Sequence, residues 1–263
     1  MSDKRNIEAA FARANVPLQI SERTLNRRLI RGGGQMVEMA ITETGKGETI
    51  SMVLPEGEDV DVRVLGGDPD LQQVVVMVKE PPRTFVARVY NRQTFKSEER
   101  VRKGPEATRR FLVGMDECHL FIAQMNGSAT GTSVKQVHED LRPREVPGPK
   151  KAKKLKIKRT GEWFLIPATV SEVKDIESYV QSFGVKKKVG IGSHLGRMRG
   201  RPHVVTESVV LRQGRPDGLP GTVFTEFVRG RILHPDHKVV KLKEWHRVIM
   251  NTEDRTAGSQ WVD

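Results

Sequence analysis

The chain has one cysteine, Cys118, in 263 residues. That scarcity excludes an intrachain disulfide and any zinc site built on several cysteines, so stability has to come from packing. No apolar run approaches the roughly 18 residues of a membrane-spanning helix. The N-terminal MSDKRNIEAAFARANV also lacks the basic-then-apolar layout of a secretory leader. The expectation is a cytoplasmic chain with no membrane partner. Several catalytic signatures are missing too: no Ser-His-Asp order, nucleophile elbow or HExxH, and no GxxxxGK[ST] phosphate loop. No internal repeat is evident.

What the chain has is positive charge, unevenly placed. Its net charge of +12 comes with 37% hydrophobic and 30% charged residues, a polar but globular balance. Residues 1–141 hold 20 Lys+Arg against 20 Asp+Glu, whereas residues 142–263 hold 25 against 13. Clustered cations displace the counterions condensed on a phosphate backbone, so the second half points to a polyanion.

The fold expected is α+β: two β-rich domains of antiparallel strands with a few short helices, joined by a basic linker. Residues 1–141 form the neutral domain, with an N-terminal helix pair. Its first helix covers 3–14, with Ile7, Ala10, Phe11 and Ala14 at helical spacing, and its second starts at Ser21 and stops at Gly32-Gly33-Gly34. Runs such as MVEMAI, TISMVL, DVRVL, QQVVVMV and TFVARVY, broken by turn residues, read as strands, and RRFLVGMDECHLFIAQM reads as a hairpin. A helix from Ser133 to Leu141 opens on a Ser133-x-x-Gln136 capping pair. This domain would self-associate or meet a protein partner. The segment SERTLNRRL resembles the recognition-helix stretch of AraC-type helix-turn-helix regulators over nine residues. That likeness implies Arg23, Arg27 and Arg28 as major-groove contacts, although the preceding NVPLQI is longer than such turns allow.

Residues 142–159, RPREVPGPKKAKKLKIKR, read as the linker. Seven positive charges in the ten positions from Lys150 to Arg159 repel one another and favour an extended, phosphate-contacting arm. The basic domain, 160–263, opens with the strand GEWFLIP and a helix from about Val170 to Ser182, capped by Ser171. A glycine-rich basic loop follows, KKKVGIGSHLGRMRGRPH, and then the strand HVVTESVVL.

Three of the seven histidines fall within thirteen positions, in HPDHKVVKLKEWHRV. A strand from His237 to His246 would separate the two by on the order of 30 Å, so a local three-histidine metal site fails. The stretch reads better as the turn of a hairpin between TVFTEFVRGRIL and KVVKLKEWHRVIM. A three-residue loop sorts the faces. Ile232, Val240, Leu242 and Val228 then lie on one, while Arg229 faces Lys243, Arg231 faces Lys241 and Phe227 faces Trp245 on the other.

The function expected is non-catalytic binding of RNA or DNA, with no cofactor. The contacts would be Lys150, Lys151, Lys153, Lys154, Lys156, Lys158, Arg197, Arg199, Arg201, Arg229, Arg231, Lys241 and Lys243, with Phe227 and Trp245 stacking on bases. Two other readings compete. One is a zinc- or manganese-dependent hydrolase or nuclease built on His203, Glu207, His234 and His237; the other is a structural subunit of a larger assembly.

Overall fold

The computed structural model describes residues 4–24, 35–45, 47–82, 84–116, 119–193, 202–214, 222–235 and 238–252. It is a β-rich α+β structure, and contacts divide it into two compact units on either side of Leu141 and Arg142.

In the first unit, α1 (Lys4–Arg13) buries Ile7 and Phe11 and is followed by buried Ala14. Asn15 ends the helix in the left-handed conformation (φ 55°), with Asn15 N donating to Ala12 O and Val16 N to Phe11 O. That is the double hydrogen bond of a Schellman cap. The next residues are a strand, β1 (Leu18–Arg23), where a helix from Ser21 was expected. Leu18 and Ile20 alternate toward the core, and Ser21 pairs with Val53 rather than capping anything.

β1 lies parallel to β3 (Gly47–Pro55), which pairs antiparallel with β2 (Glu38–Thr44); β1–β3 is the one parallel pair among the described strands. The second sheet runs β4 (Asp61–Asp68), β5 (Gln73–Glu80), β8 (Ala107–Asp116), β9 (His119–Gln124). The unbroken valines of β5 are explained by two covered faces. Val74, Val76 and Val78 join α1 and the three-stranded sheet, while Val75 packs with Leu112, Val134 and Val137 under α2 (Val134–Asp140). Ser133 and Gln136 cap α2 reciprocally, as the sequence pattern predicts.

β5 and β8 pair up to Glu80 opposite Ala107, so the 26 residues between them leave and re-enter the sheet at one place. They form a two-stranded ribbon, β6 (Thr84–Asn91) with β7 (Lys96–Lys103), set off by Pro81-Pro82 on one side and Gly104-Pro105 on the other. Proline donates no ladder hydrogen bond and ends pairing there. The highly charged β7, KSEERVRK, carries almost no apolar signal of its own.

In the second unit, α3 (Pro149–Lys154) is followed by one six-stranded antiparallel sheet. Its order is β10 (Lys158–Thr160), β11 (Trp163–Pro167), β15 (Val240–Met250), β14 (Thr222–Leu233), β13 (Val204–Gly214), β12 (Lys186–Gly190). Between β11 and β12 runs α4 (Val170–Phe183), whose cap is Thr169 in a box with Glu172, not Ser171. α4 lays Ile176, Tyr179 and Val180 on Val209, Leu211, Phe227 and Trp245. The opposite face gathers Trp163, Leu165, Ile191, Val205, Val228, Ile232 and Leu242.

Gly192, just after β12, has φ +76°, and a Cβ there would lie 2.7 Å from the Trp163 ring. β12 and β11 stand far apart in strand order, so this contact shows that the sheet is rolled. Both faces of its central strands are thereby covered.

Candidate nucleic-acid interface

The β14–β15 hairpin starts in the register expected of a three-residue loop: Ile232 opposite Val240, Arg231 opposite Lys241, Gly230 opposite Leu242. Beyond Gly230 the register shifts by two, to Val228 opposite His246 and Phe227 opposite Arg247. Gly230 sits at φ +95°, and a Cβ there would be 2.8 Å from Thr206 Cβ, so only glycine fits. Thr206 Oγ1 accepts from Arg231 N at 2.9 Å and donates to Arg231 O at 3.1 Å, holding the irregular point together. This is a β-bulge, which re-aims the side chains that follow it.

The bulge overturns part of the expected cationic face. Arg229 does not face Lys243; it lies opposite Glu207 of β13, with Nε and Nη2 each 2.7 Å from Glu207 Oε2. Its guanidinium also stacks 4.6 Å above the Trp245 ring. Phe227 is 0% and Trp245 6% exposed, both beneath α4, so neither presents a ring to a base. Arg229, Phe227 and Trp245 therefore form an internal arrangement rather than a binding surface.

What remains outward is Arg231, Lys241 and Lys243, all exposed and with no carboxylate partner among the described residues. Lys158 joins them, its Nζ donating to Lys241 O at 2.6 Å. Upstream, the lysine segment is helical where an extended arm was expected. Pro149 occupies a first-turn position, and Lys151, Lys153 and Lys154 fall in the last turn of α3, where ammonium groups favour the unsatisfied carbonyls. Lys150, Lys151, Lys153, Lys154 and Lys156 are all exposed.

Of the four residues named for a metal, two come together. His203 and His234 stack with ring centroids 4.2 Å apart and are both buried. Glu207, however, is bound to Arg229, and no group of three or more candidate ligands occurs among the described residues. His246, far along β15, donates from Nδ1 to Glu244 O at 2.8 Å. Burial holds its imidazole below the ordinary range, against the raising effect of that hydrogen bond, and the nearby Lys158 charge adds to the lowering. Arg27, Arg28, Arg197, Arg199, Arg201 and His237 lie outside the described residues. Arg23 is on β1, bonded to Glu38 at 2.6 Å.

A second cationic surface was missed. Residues 84–103 contain six Lys+Arg and two Glu, an excess concealed when charge is counted over the whole first half. Counting over the span between the two proline-flanked ends would have found it. Comparison with protein-family models, curated proteins and solved structures gives no match to this chain.

Proposed function

We propose that this chain is a non-catalytic nucleic-acid-binding protein whose basic C-terminal unit engages the phosphate backbone of RNA or DNA. The observation that carries the reading is the Lys158–Lys241 hydrogen bond, which brings Lys158, near the end of the lysine-rich segment, to the backbone of the Arg231–Lys241 cross-strand pair. Like charges facing one another across a strand pair are destabilising unless something anionic neutralises them. With Phe227 and Trp245 buried, stacking contributes nothing, and binding rests on charge with little base preference.

The test is fluorescence anisotropy of the full chain with a labelled 20-mer, as single strand and as duplex, across a salt series. The affinity should fall steeply with salt, with a log–log slope of about −0.9 per phosphate neutralised on B-form DNA. Replacing Arg231, Lys241 and Lys243 together by Glu should weaken binding at least about 100-fold on the same electrostatic grounds. A change of less than about two-fold, with circular dichroism unaltered, removes this unit as the binding surface.

A further inference from the structure

The β6–β7 ribbon projects beyond the paired part of β5 and β8. None of its described side chains belongs to a hydrophobic cluster of the first unit, and its two strands make their main contacts with each other. A lone two-stranded hairpin is marginally stable in water. This one is held by local polar contacts. Asn91 Oδ1 accepts from Gln93 N and Thr94 N at the tip, and Asn91 Nδ2 donates to Glu98 Oε1 at 2.7 Å. Arg100 bonds Glu98 at 3.1 Å, and Arg88 lies 3.8 Å from Glu99.

Both carboxylates of the ribbon are thus engaged within it. Arg92, Lys96, Arg102 and Lys103 are exposed and meet no carboxylate among the described residues. Beside these cations lie uncovered apolar groups. Val86 pairs with Val101 on one face, Tyr90 follows on the same face, and Phe95 at the tip is 78% exposed in a left-handed backbone (φ 54°).

We infer that the β6–β7 ribbon is a DNA-binding arm that lies in the major groove of duplex DNA. Two strands about 4.8 Å apart, with side chains to either side, match a groove about 12 Å wide that admits a two-stranded ribbon. Its exposed cations face phosphates, and its exposed apolar groups meet base edges such as thymine methyls. The deep, narrow major groove of A-form RNA does not admit it. An anionic membrane is the less fitting partner. The Val86–Val101 pair sits roughly 17 Å from the tip, five strand residues back, so a Phe95-led insertion would leave it in water. A ribbon lying along a groove covers both. The ribbon lies outside the basic unit, so only the RNA-duplex arm of the test below rests on the function proposed above.

The experiment uses the full chain, a 20-base-pair DNA duplex containing guanines, an RNA duplex of the same sequence, and vesicles of phosphatidylcholine with and without phosphatidylserine. The variant is Arg92→Gln, Lys96→Gln, Arg102→Gln and Lys103→Gln together, with Phe95→Ser as a second variant that leaves the charge intact. The wild type should protect guanine N7 from dimethyl sulfate. The quadruple variant should lose that protection, with DNA affinity down at least ten-fold and RNA-duplex affinity within two-fold of wild type. Phe95→Ser should weaken DNA binding several-fold without changing the salt slope. The inference is overturned if N7 protection survives the quadruple change, if DNA and RNA duplexes are affected equally, or if the ribbon changes abolish vesicle binding and leave DNA binding intact. If the Arg231, Lys241 and Lys243 reversal changes affinity by less than about two-fold and N7 protection persists, the proposal for the basic unit fails while this one holds.

Discussion

The β14–β15 and β6–β7 hairpins have similar ingredients, arginines and lysines beside aromatic residues on antiparallel strands. Around Phe227 and Trp245 of β14–β15 both faces are covered, one by α4 and one by the rolled sheet, so these two are core residues and Arg229 beside them is neutralised by Glu207. In β6–β7 no described side chain joins a core, Phe95 and Tyr90 point into water, and most cations meet no carboxylate among the described residues. A strand's composition therefore does not say whether its aromatics bind or pack. The number of layers around it does.

The largest test of that contrast is truncation of one aromatic in each hairpin. Phe227→Ala empties a fully buried site, and loss of about 3–5 kcal/mol is expected from the removed area and the cavity left behind. Phe95→Ala should stay within about 0.5 kcal/mol, the usual range for a surface position. Urea unfolding followed by tryptophan fluorescence reports the first, since Trp163 and Trp245 both lie in the core of the second unit. Circular dichroism reports the second. A large loss for Phe95→Ala would show that the tip packs against something, and the contrast between the hairpins would collapse.

A smaller effect separates the ion pairs. Arg229–Glu207 is partly shielded, with Nε and Nη2 both 2.7 Å from Oε2, and it sits over Trp245. Because the Arg229 side chain is still 42% exposed, solvent screening keeps the coupling to about 0.5–1 kcal/mol in a double-mutant cycle with Arg229→Gln and Glu207→Gln. The ribbon pair Arg88–Glu99, at 3.8 Å and more exposed, should show no coupling above experimental error. Equal couplings would mean that the two hairpins share one dielectric environment after all.

Legibility in the sequence followed the range of the interaction. The α2 cap, most strands of residues 35–124 and the register beside the β14–β15 loop are local patterns, and they were readable. The α4 cap was also local and was still misassigned. Thr169 has Glu172 three positions on, which completes a capping box, whereas Ser171 has no acid in that place. Other features depend on distant residues. Ser21 is a plausible helix cap until β3 supplies a parallel neighbour, and β7 is a strand because β6 pairs with it. The site suffered most. The alternation that put Arg229 with Lys243 assumed an unbroken ladder, and one glycine packed against Thr206 shifted every residue past it.

The smallest effect separates the two regions by pH. His246 is buried, and the loss of hydration lowers its affinity for a proton below the ordinary value of 6.5. Its unfolded form therefore binds protons that the folded form refuses, and stability rises with pH across that interval. The second unit should keep its full stability above about pH 6.5 and lose some as the pH drops below it. The ribbon contains no histidine. Its responsive group is Glu98, held below the ordinary 4.5 first by the Asn91 hydrogen bond and then by Arg100. A depressed carboxyl contributes above its unfolded value and loses that contribution as pH falls through the folded one, so the ribbon should respond only below about pH 4.5. Urea midpoints from tryptophan fluorescence between pH 8 and 5 should decline for the wild type and flatten for His246→Gln. Ribbon amide shifts, followed by nuclear magnetic resonance over the same interval, should stay constant. A decline of equal slope in His246→Gln would assign the acid sensitivity of the second unit to another group and leave the buried imidazole without a role in it.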